Sequence, residues 1–213
     1  MSIQLRVPGA VMSCQAVLFD MDGVLVDSMA VIEDQLRQWA REHHLDPQLV
    51  VDRSPGRTNA ELIVDIASHL DLVAETEVLL EREVAAVEGI RACEGALELV
   101  AQLPSRRWAV VTSGNRPVAV GRLAAAGFTL PPVLVTADDV EAGKPDPQGY
   151  ELAARRLGVA PQQCVVVEDA VAGLDAAAAA GMRAVAVSAS GDQLRAPFDH
   201  LVRSLALLAA NCR

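Results

Sequence analysis

The chain is predicted to adopt an α/β fold, a doubly wound parallel sheet with an all-helical block inserted early. Three observations predict it. Short apolar runs bounded by polar residues recur: Ala16-Val17-Leu18-Phe19, Trp108-Ala109-Val110-Val111-Thr112, Val133-Leu134-Val135-Thr136, Cys164-Val165-Val166-Val167 and Ala184-Val185-Ala186-Val187. Such runs read as strands buried on both faces. Helical segments, most of them stopped by glycine, separate the last four, and alternation of strand and helix implies a parallel sheet with helices on both sides. Between Ser28 and about Ala92 no such run occurs.

The first strand leads directly into Asp20-Met21-Asp22-Gly23. Side chains two apart on an extended chain share one side, so Asp20 and Asp22 point into one space at the strand's carboxyl end. Two carboxylates about 4 Å apart repel by roughly 4 kcal/mol at an effective dielectric near 20. A cation or a shared proton must offset that, which makes the pair a candidate for metal binding or acid–base chemistry. Gly23 permits the turn that follows. Ser28 is the expected N-cap of a helix carrying Ile32, Leu36, Trp39 and Ala40. A break at Ser54-Pro55-Gly56-Arg57-Thr58 precedes a second helix with Leu62, Ile63, Ile66, Ala67 and Leu70 on one side. A third carries Leu80, Val84 and Val87 and ends near Gly89. The organisation is therefore a core of residues 1–27 and 94–213 with residues 28–93 as an inserted helical domain. Within the core, helices are expected over Gly95–Leu103, Pro117–Ala126, Pro147–Leu157, Val171–Ala180 and about His200–Ala210.

Composition bounds the function. A net charge of −10 on 213 residues argues against nucleic acid or anionic membrane as partner. No stretch approaches the roughly 20 apolar residues of a membrane helix, and the start lacks the pattern of a signal peptide. Cys14, Cys93, Cys164 and Cys212 show no metal-binding spacing and read as reduced thiols, with Cys164 serving packing. A cytoplasmic, monomeric protein is expected. Met12 sits just before the first strand, so residues 1–11 read as a dispensable extension.

In open parallel sheets ligands bind beyond the carboxyl ends of the strands. Successive ends here carry Asp20 with Asp22, then Thr112-Ser113-Gly114-Asn115, then Gly143-Lys144-Pro145-Asp146-Pro147, then Glu168-Asp169. Thr112 and Ser113 offer hydroxyls and N–H groups before a helix start at Pro117, a natural anion seat. Lys144 supplies a point positive charge. Glu168 and Asp169 add hard oxygen ligands suited to Mg²⁺. Arg57, on the loop of the insert, is a candidate grip on an anionic or hydroxylated substrate. Arg57, Asn59 and Asn115 are the positions where substrate choice is expected to lie. His43 and His44 read as helix-end residues, and Trp39 as core of the insert.

These motifs together, Asp20–Ser28, Val110–Gly114, Gly143–Pro147 and Val166–Asp169, resemble those of the haloacid dehalogenase-type phosphatase superfamily. The insert straight after the first motif is similar to the four-helix cap of the subgroup of beta-phosphoglucomutases and sugar-phosphate phosphatases. The resemblance runs from about Gln15 to Val187. It implies a Rossmann-like core under a cap and a Mg²⁺-dependent phosphatase of small phosphorylated metabolites, with sugar phosphates foremost. Asp20 is then the nucleophile and Asp22 the acid and base. Thr112 and Lys144 hold the phosphoryl oxygens, and Ser113, Asn115 and Arg57 bind substrate. Asp20, Asp169, the main-chain carbonyl of Asp22 and Glu168 surround the metal. Mutases of the subgroup carry a histidine in the first cap helix where Ile32 stands here, and Glu88-Gly89-Ile90 looks most like the phosphatases. The alternatives are a phosphomutase and a non-catalytic phospho-acceptor domain.

Overall fold

The computed structural model describes residues 2–188 and 195–212. Its centre is a six-stranded sheet whose neighbouring strands all run parallel, in the order β10-β9-β8-β3-β6-β7. These strands are β3 (Ala16–Phe19), β6 (Trp108–Val111), β7 (Leu134–Val135), β8 (Cys164–Glu168), β9 (Arg183–Val187) and β10 (His200–Val202). Strand alternation sorts the core into two clusters. Val17, Phe19, Val165 and Val167 face one side, where α5 (Ala96–Ala101) and α6 (Arg116–Ala125) pack. Ala16, Leu18, Cys164 and Val166 face the other, against α7 (Gln148–Leu157) and α8 (Val171–Ala179). The sheet is thus buried on both faces, as its continuous apolar strands require.

Four helices follow the first strand of that sheet and precede α5: α1 (Met29–Glu42), α2 (Pro47–Arg53), α3 (Asn59–Ile66) and α4 (Leu72–Ala85). They bury a cluster of their own, centred on Leu36, Trp39, Leu62, Ile63 and Leu79. The Trp39 indole N–H donates to Glu75 at 2.8 Å, so the ring is core of this block as expected. His43 caps the end of α1 and meets Glu75 at 3.0 Å.

Five sequence expectations need correction. The segment expected to be a dispensable extension is, over its described residues 2–11, part of the fold: β1 (Ile3–Val7) and β2 (Ala10–Cys14) form an antiparallel sheet with β11 (Ala209–Cys212). Ile3 and Leu5 are fully buried against the sheet core, so Ile-Gln-Leu-Arg-Val is a strand with period two. The helix expected over His200–Ala210 is absent, because edge strands β9 and β1 offer backbone partners that β10 and β11 take. A short strand, β5 (Arg91–Ala92), pairs with β4 (Val26–Asp27) and ties the two ends of the helical block together. Helix α2 was not anticipated, although Asp46 caps it and Pro47 opens it. On α4 the buried position is Leu79, while Val84 is exposed, as is Val87 beyond the helix end.

Candidate active site

Each strand end delivers its side chain to one place. Asp20 follows β3, and its N–H still donates to Val167 in the neighbouring strand at 2.9 Å. The chain then turns sharply: Gly23 has φ +80°, and its N–H donates to Val26 at 2.8 Å. A Cβ on Gly23 would stand 2.1 Å from Asp169 Oδ2, so the missing side chain is what lets the first and fourth motifs meet. Glu168 ends β8 wholly buried. A Cβ on Gly173, one turn into α8, would fall 1.6 Å from Glu168 Oε1.

Lys144 is the hub. Its Nζ donates to Asp20 Oδ1 and, at 2.6 Å, to Glu168 Oε1. It also stands 5.3 Å from the centroid of the Tyr150 ring. The Tyr150 hydroxyl donates to Glu168 Oε1 at 3.1 Å, and the N–H groups of Asp169 and Ala170 donate to Oε2 at 2.7 and 2.8 Å. Glu168 is therefore fully engaged, and its main effect is to aim Lys144. Thr112 is buried beside this cluster, and its Oγ1 accepts from the Gly114 N–H at 3.1 Å. The Ser113 hydroxyl donates to the carbonyl of Gly56, on the loop before α3, at 2.8 Å.

The second aspartate has partners that sequence reasoning missed. Arg122, on α6 and only 2% exposed, donates from Nη1 to both oxygens of Asp22 at 3.0 and 3.1 Å. Its Nη2 donates to Glu83 of α4 at 3.0 Å. Asn59 donates to the other Glu83 oxygen at 2.7 Å. Ser28, expected to cap α1 through its side chain, instead donates its hydroxyl to Asp22. The signal for Arg122 was present: it shares a helix face with Val118, Ala119 and Leu123, all buried, and a cation there needs a buried anion. Glu83 stands one turn after Leu79 on the inner side of α4, a weaker signal.

Asp20, Glu168 and Asp169 each bring a carboxylate oxygen within 4.8 Å of the others. Burial pushes the Asp20 carboxyl up to about 8; Lys144 pulls it back, and Glu168 and Asp22 push it further. Asp169 is raised well above the usual carboxylate range by burial, then by Asp20 and Glu168. Burial alone would lower Lys144, but Asp20 and Glu168 outweigh it and hold it above an ordinary lysine. Negative charge exceeds positive, and the donors are hard oxygens. That set fits a divalent cation such as Mg²⁺, which would return both aspartates to the ionised form. The Asp22 carboxylate lies outside the trio because Arg122 and Ser28 hold it.

A cavity of about 100 Å³ opens over this cluster, between the sheet and α1, α3 and α4. Asp20, Asp22, Thr112, Ser113, Glu168 and Asp169 all line it. Arg57 reaches its rim, with its guanidinium paired to Asp65 at 2.7 Å. Asn115 does not reach it: the side-chain amide donates to Asp138, away from the lining. Lys144 meets Asp20 from behind and lines a smaller adjoining cavity with Thr112 and Tyr150. No described helix is long and apolar enough to cross a membrane.

Residues 14–181 match the family model of the haloacid dehalogenase-like hydrolases. Hexitol phosphatase A of Escherichia coli K12 is 43% identical over 189 residues, which span 86% of this chain and 88% of that one. The validoxylamine A 7'-phosphate phosphatase of Streptomyces hygroscopicus subsp. limoneus is 36% identical over 88% of this chain and 92% of its own. Among solved structures, a beta-phosphoglucomutase from Clostridium difficile superposes with a TM-score of 0.78. The match covers 91% of this chain and 92% of that one at 23% identity, and it speaks to the fold alone.

Proposed function

We propose that this chain, which belongs to the haloacid dehalogenase-like hydrolase family and is one of its phosphatases, hydrolyses sugar or sugar-alcohol monophosphates through a phosphoaspartate on Asp20. The observation that carries the reading is convergence. Residues as far apart in sequence as Asp20, Thr112 and Asp169 line one cavity, and Lys144 reaches Asp20 from an adjoining one. The named relatives supply the substrate class.

Asp20 and Asp169, with the Asp22 main-chain carbonyl, are the residues that would hold Mg²⁺, and Glu168, its oxygens already engaged, would add negative charge from behind them. Bound there, the cation neutralises negative charge on the phosphoryl oxygens. Asp20 attacks phosphorus, and the leaving oxygen departs with a proton from Asp22. Asp22 then takes a proton from water, which attacks the phosphoaspartate and frees Asp20. One hard hydrolysis becomes two easier displacements. Lys144 and Thr112 steady the transferring oxygens, and Lys144 stays charged throughout because Asp20 and Glu168 flank it. Helices α1–α4, residues 28–93, act as the cap over residues 1–27 and 94–213. Contacts reaching across support that role: Ser113 to Gly56, Gly143 N–H to Glu61 at 3.2 Å, and Arg122 to Glu83. Closure would exclude bulk water from the phosphoryl group. In this reading the protein works in the cytoplasm as a monomer on small phosphorylated metabolites.

Incubation with hexitol and hexose phosphates, following free phosphate and isomer together, tests this reading. Phosphate should appear with Mg²⁺, stop in EDTA and be absent in Asp20→Asn. An isomer formed without phosphate would make the protein a mutase. A phosphorylated protein that never turns over would make it a phospho-acceptor.

A further inference from the structure

The end of the cavity away from Lys144 has a composition of its own. Gln35, Asn59, Glu83 and Arg122 line it, set among Ile32, Leu36, Leu62 and Leu79. Glu83 shares the Arg122 guanidinium with Asp22. It is therefore one guanidinium away from the residue assigned to the leaving oxygen, beside the leaving group and not the phosphoryl group.

Among the described residues, two buried side-chain polar atoms have no hydrogen-bond partner: Gln35 Oε1 and Arg122 Nε. Both belong to residues of this wall. The Gln35 amide cannot simply be reversed, because its nitrogen donates to the Arg82 carbonyl at 3.0 Å, which only accepts. One orphan is thus an acceptor and the other a donor. Buried groups of this kind keep their desolvation penalty while they have no partner. An unpaired acceptor and an unpaired donor in one wall suit a neutral hydroxylated group, which can both donate and accept. A carboxylate or phosphate cannot: it has no proton for Gln35 and would meet the Glu83 carboxylate.

We infer that Glu83, Gln35 and Arg122 form a specificity wall that accepts a neutral, hydroxylated leaving group and rejects one bearing a second anion. The inference rests on the phosphatase reading and narrows it to polyol monophosphates over bisphosphates and phosphorylated acids. Arg122 does not turn the wall into an anion site, since Asp22 and Glu83 already face its guanidinium from both sides. Asn59 holds the second Glu83 oxygen and keeps that carboxylate facing the cavity.

The test compares kcat/KM of the wild-type enzyme for a hexose 6-phosphate, the matching 1,6-bisphosphate and phenyl phosphate. The monophosphate should exceed the bisphosphate by at least about tenfold, the scale of one poorly screened like-charge contact. Equal values would overturn the inference while leaving phosphatase activity intact. No phosphate from any of the three would overturn the phosphatase reading, and the inference with it. Glu83→Gln should narrow the monophosphate-to-bisphosphate ratio at least about threefold. Gln35→Leu should raise KM for the hexose monophosphate more than for phenyl phosphate, which has no hydroxyl to offer. An unchanged ratio in folded Glu83→Gln, or equal KM changes in Gln35→Leu, would remove those residues from the wall. Should either variant fail to fold, the wild-type comparison alone decides.

Discussion

Asp22 shows how one residue's neighbours decide its chemistry. It faces the cavity, yet Ser28 and both oxygens' contacts with Arg122 hold it back from the carboxylate trio. It thereby stays outside the trio that would hold a metal while still lining the cavity, the position the proposed acid–base role requires. Asp22→Asn should slow turnover by about 10²–10⁴ and let phosphoprotein accumulate. Steady-state phosphate release at the wild-type rate would remove its acid–base role. Gly173 is a second single-residue test. A methyl group there would overlap Glu168 Oε1 and disturb the carboxylate that aims Lys144. Gly173→Ala should cost about 1–3 kcal/mol of stability and lower kcat, read by thermal melting and by phosphate release. At this scale the sequence was informative about position: Asp20, Thr112 and Asp169 after apolar runs, and Lys144 across a loop, were expected at one end of the sheet and do come together there. Arg122 showed only as a cation on an apolar helix face and Glu83 more weakly still, because their meaning lies in a pairing across 39 residues of sequence. Asn115 was placed at the right strand end, but its amide turns to Asp138, a choice no local pattern encodes.

The elements were legible in proportion to how fully their burial matches their period. Strands β3 and β6 are apolar throughout, and β8 and β9 apart from Glu168 and Arg183 at their ends, because both faces are covered; their runs were found to within a residue or so. The failures lie at the edges. β10 and β11 carry too few residues to display a period, and long-range pairing with β9 and β1 determines them. β1 did show alternation, Ile3, Leu5 and Val7 inward, but its partner is at the far end of the chain. Deleting residues 1–11 should therefore lower the melting temperature markedly, since it removes Ile3 and Leu5 from the core and exposes β11. An unchanged melt would return that segment to the status of an extension. In the helical block, Leu79→Ala should cost about 2–5 kcal/mol because Leu79 is 2% exposed among Leu36, Trp39 and Leu62. Val84→Ala, on the exposed side of the same helix, should cost far less.

The whole molecule gathers more negative charge into its centre than it neutralises, and its stability should report that. Asp20 and Asp169 titrate higher in the fold than in the unfolded chain, through burial and mutual repulsion. Their favourable contribution is complete below the ordinary aspartate value of about 4 and is lost as pH rises towards the Asp20 value of about 8. Metal-free protein should accordingly melt at lower temperature as pH climbs through that window. Added Mg²⁺ should raise the melting temperature, with the larger gain at the upper end, because binding needs the ionised carboxylates. A gain independent of pH would separate the cation from these two groups. The arrangement as a whole is a parallel sheet that presents its strand ends to a helical block, with the reacting groups enclosed between them. Its central claim is that Asp20 accepts the phosphoryl group. Acid-quenched Asp22→Asn, mixed with a hexitol phosphate and Mg²⁺ and digested for mass spectrometry, measures this directly. The account predicts a phosphate adduct on the peptide carrying Asp20, absent when Asp20→Asn is added to the same variant. An adduct on another residue, or steady turnover by Asp20→Asn, would contradict it.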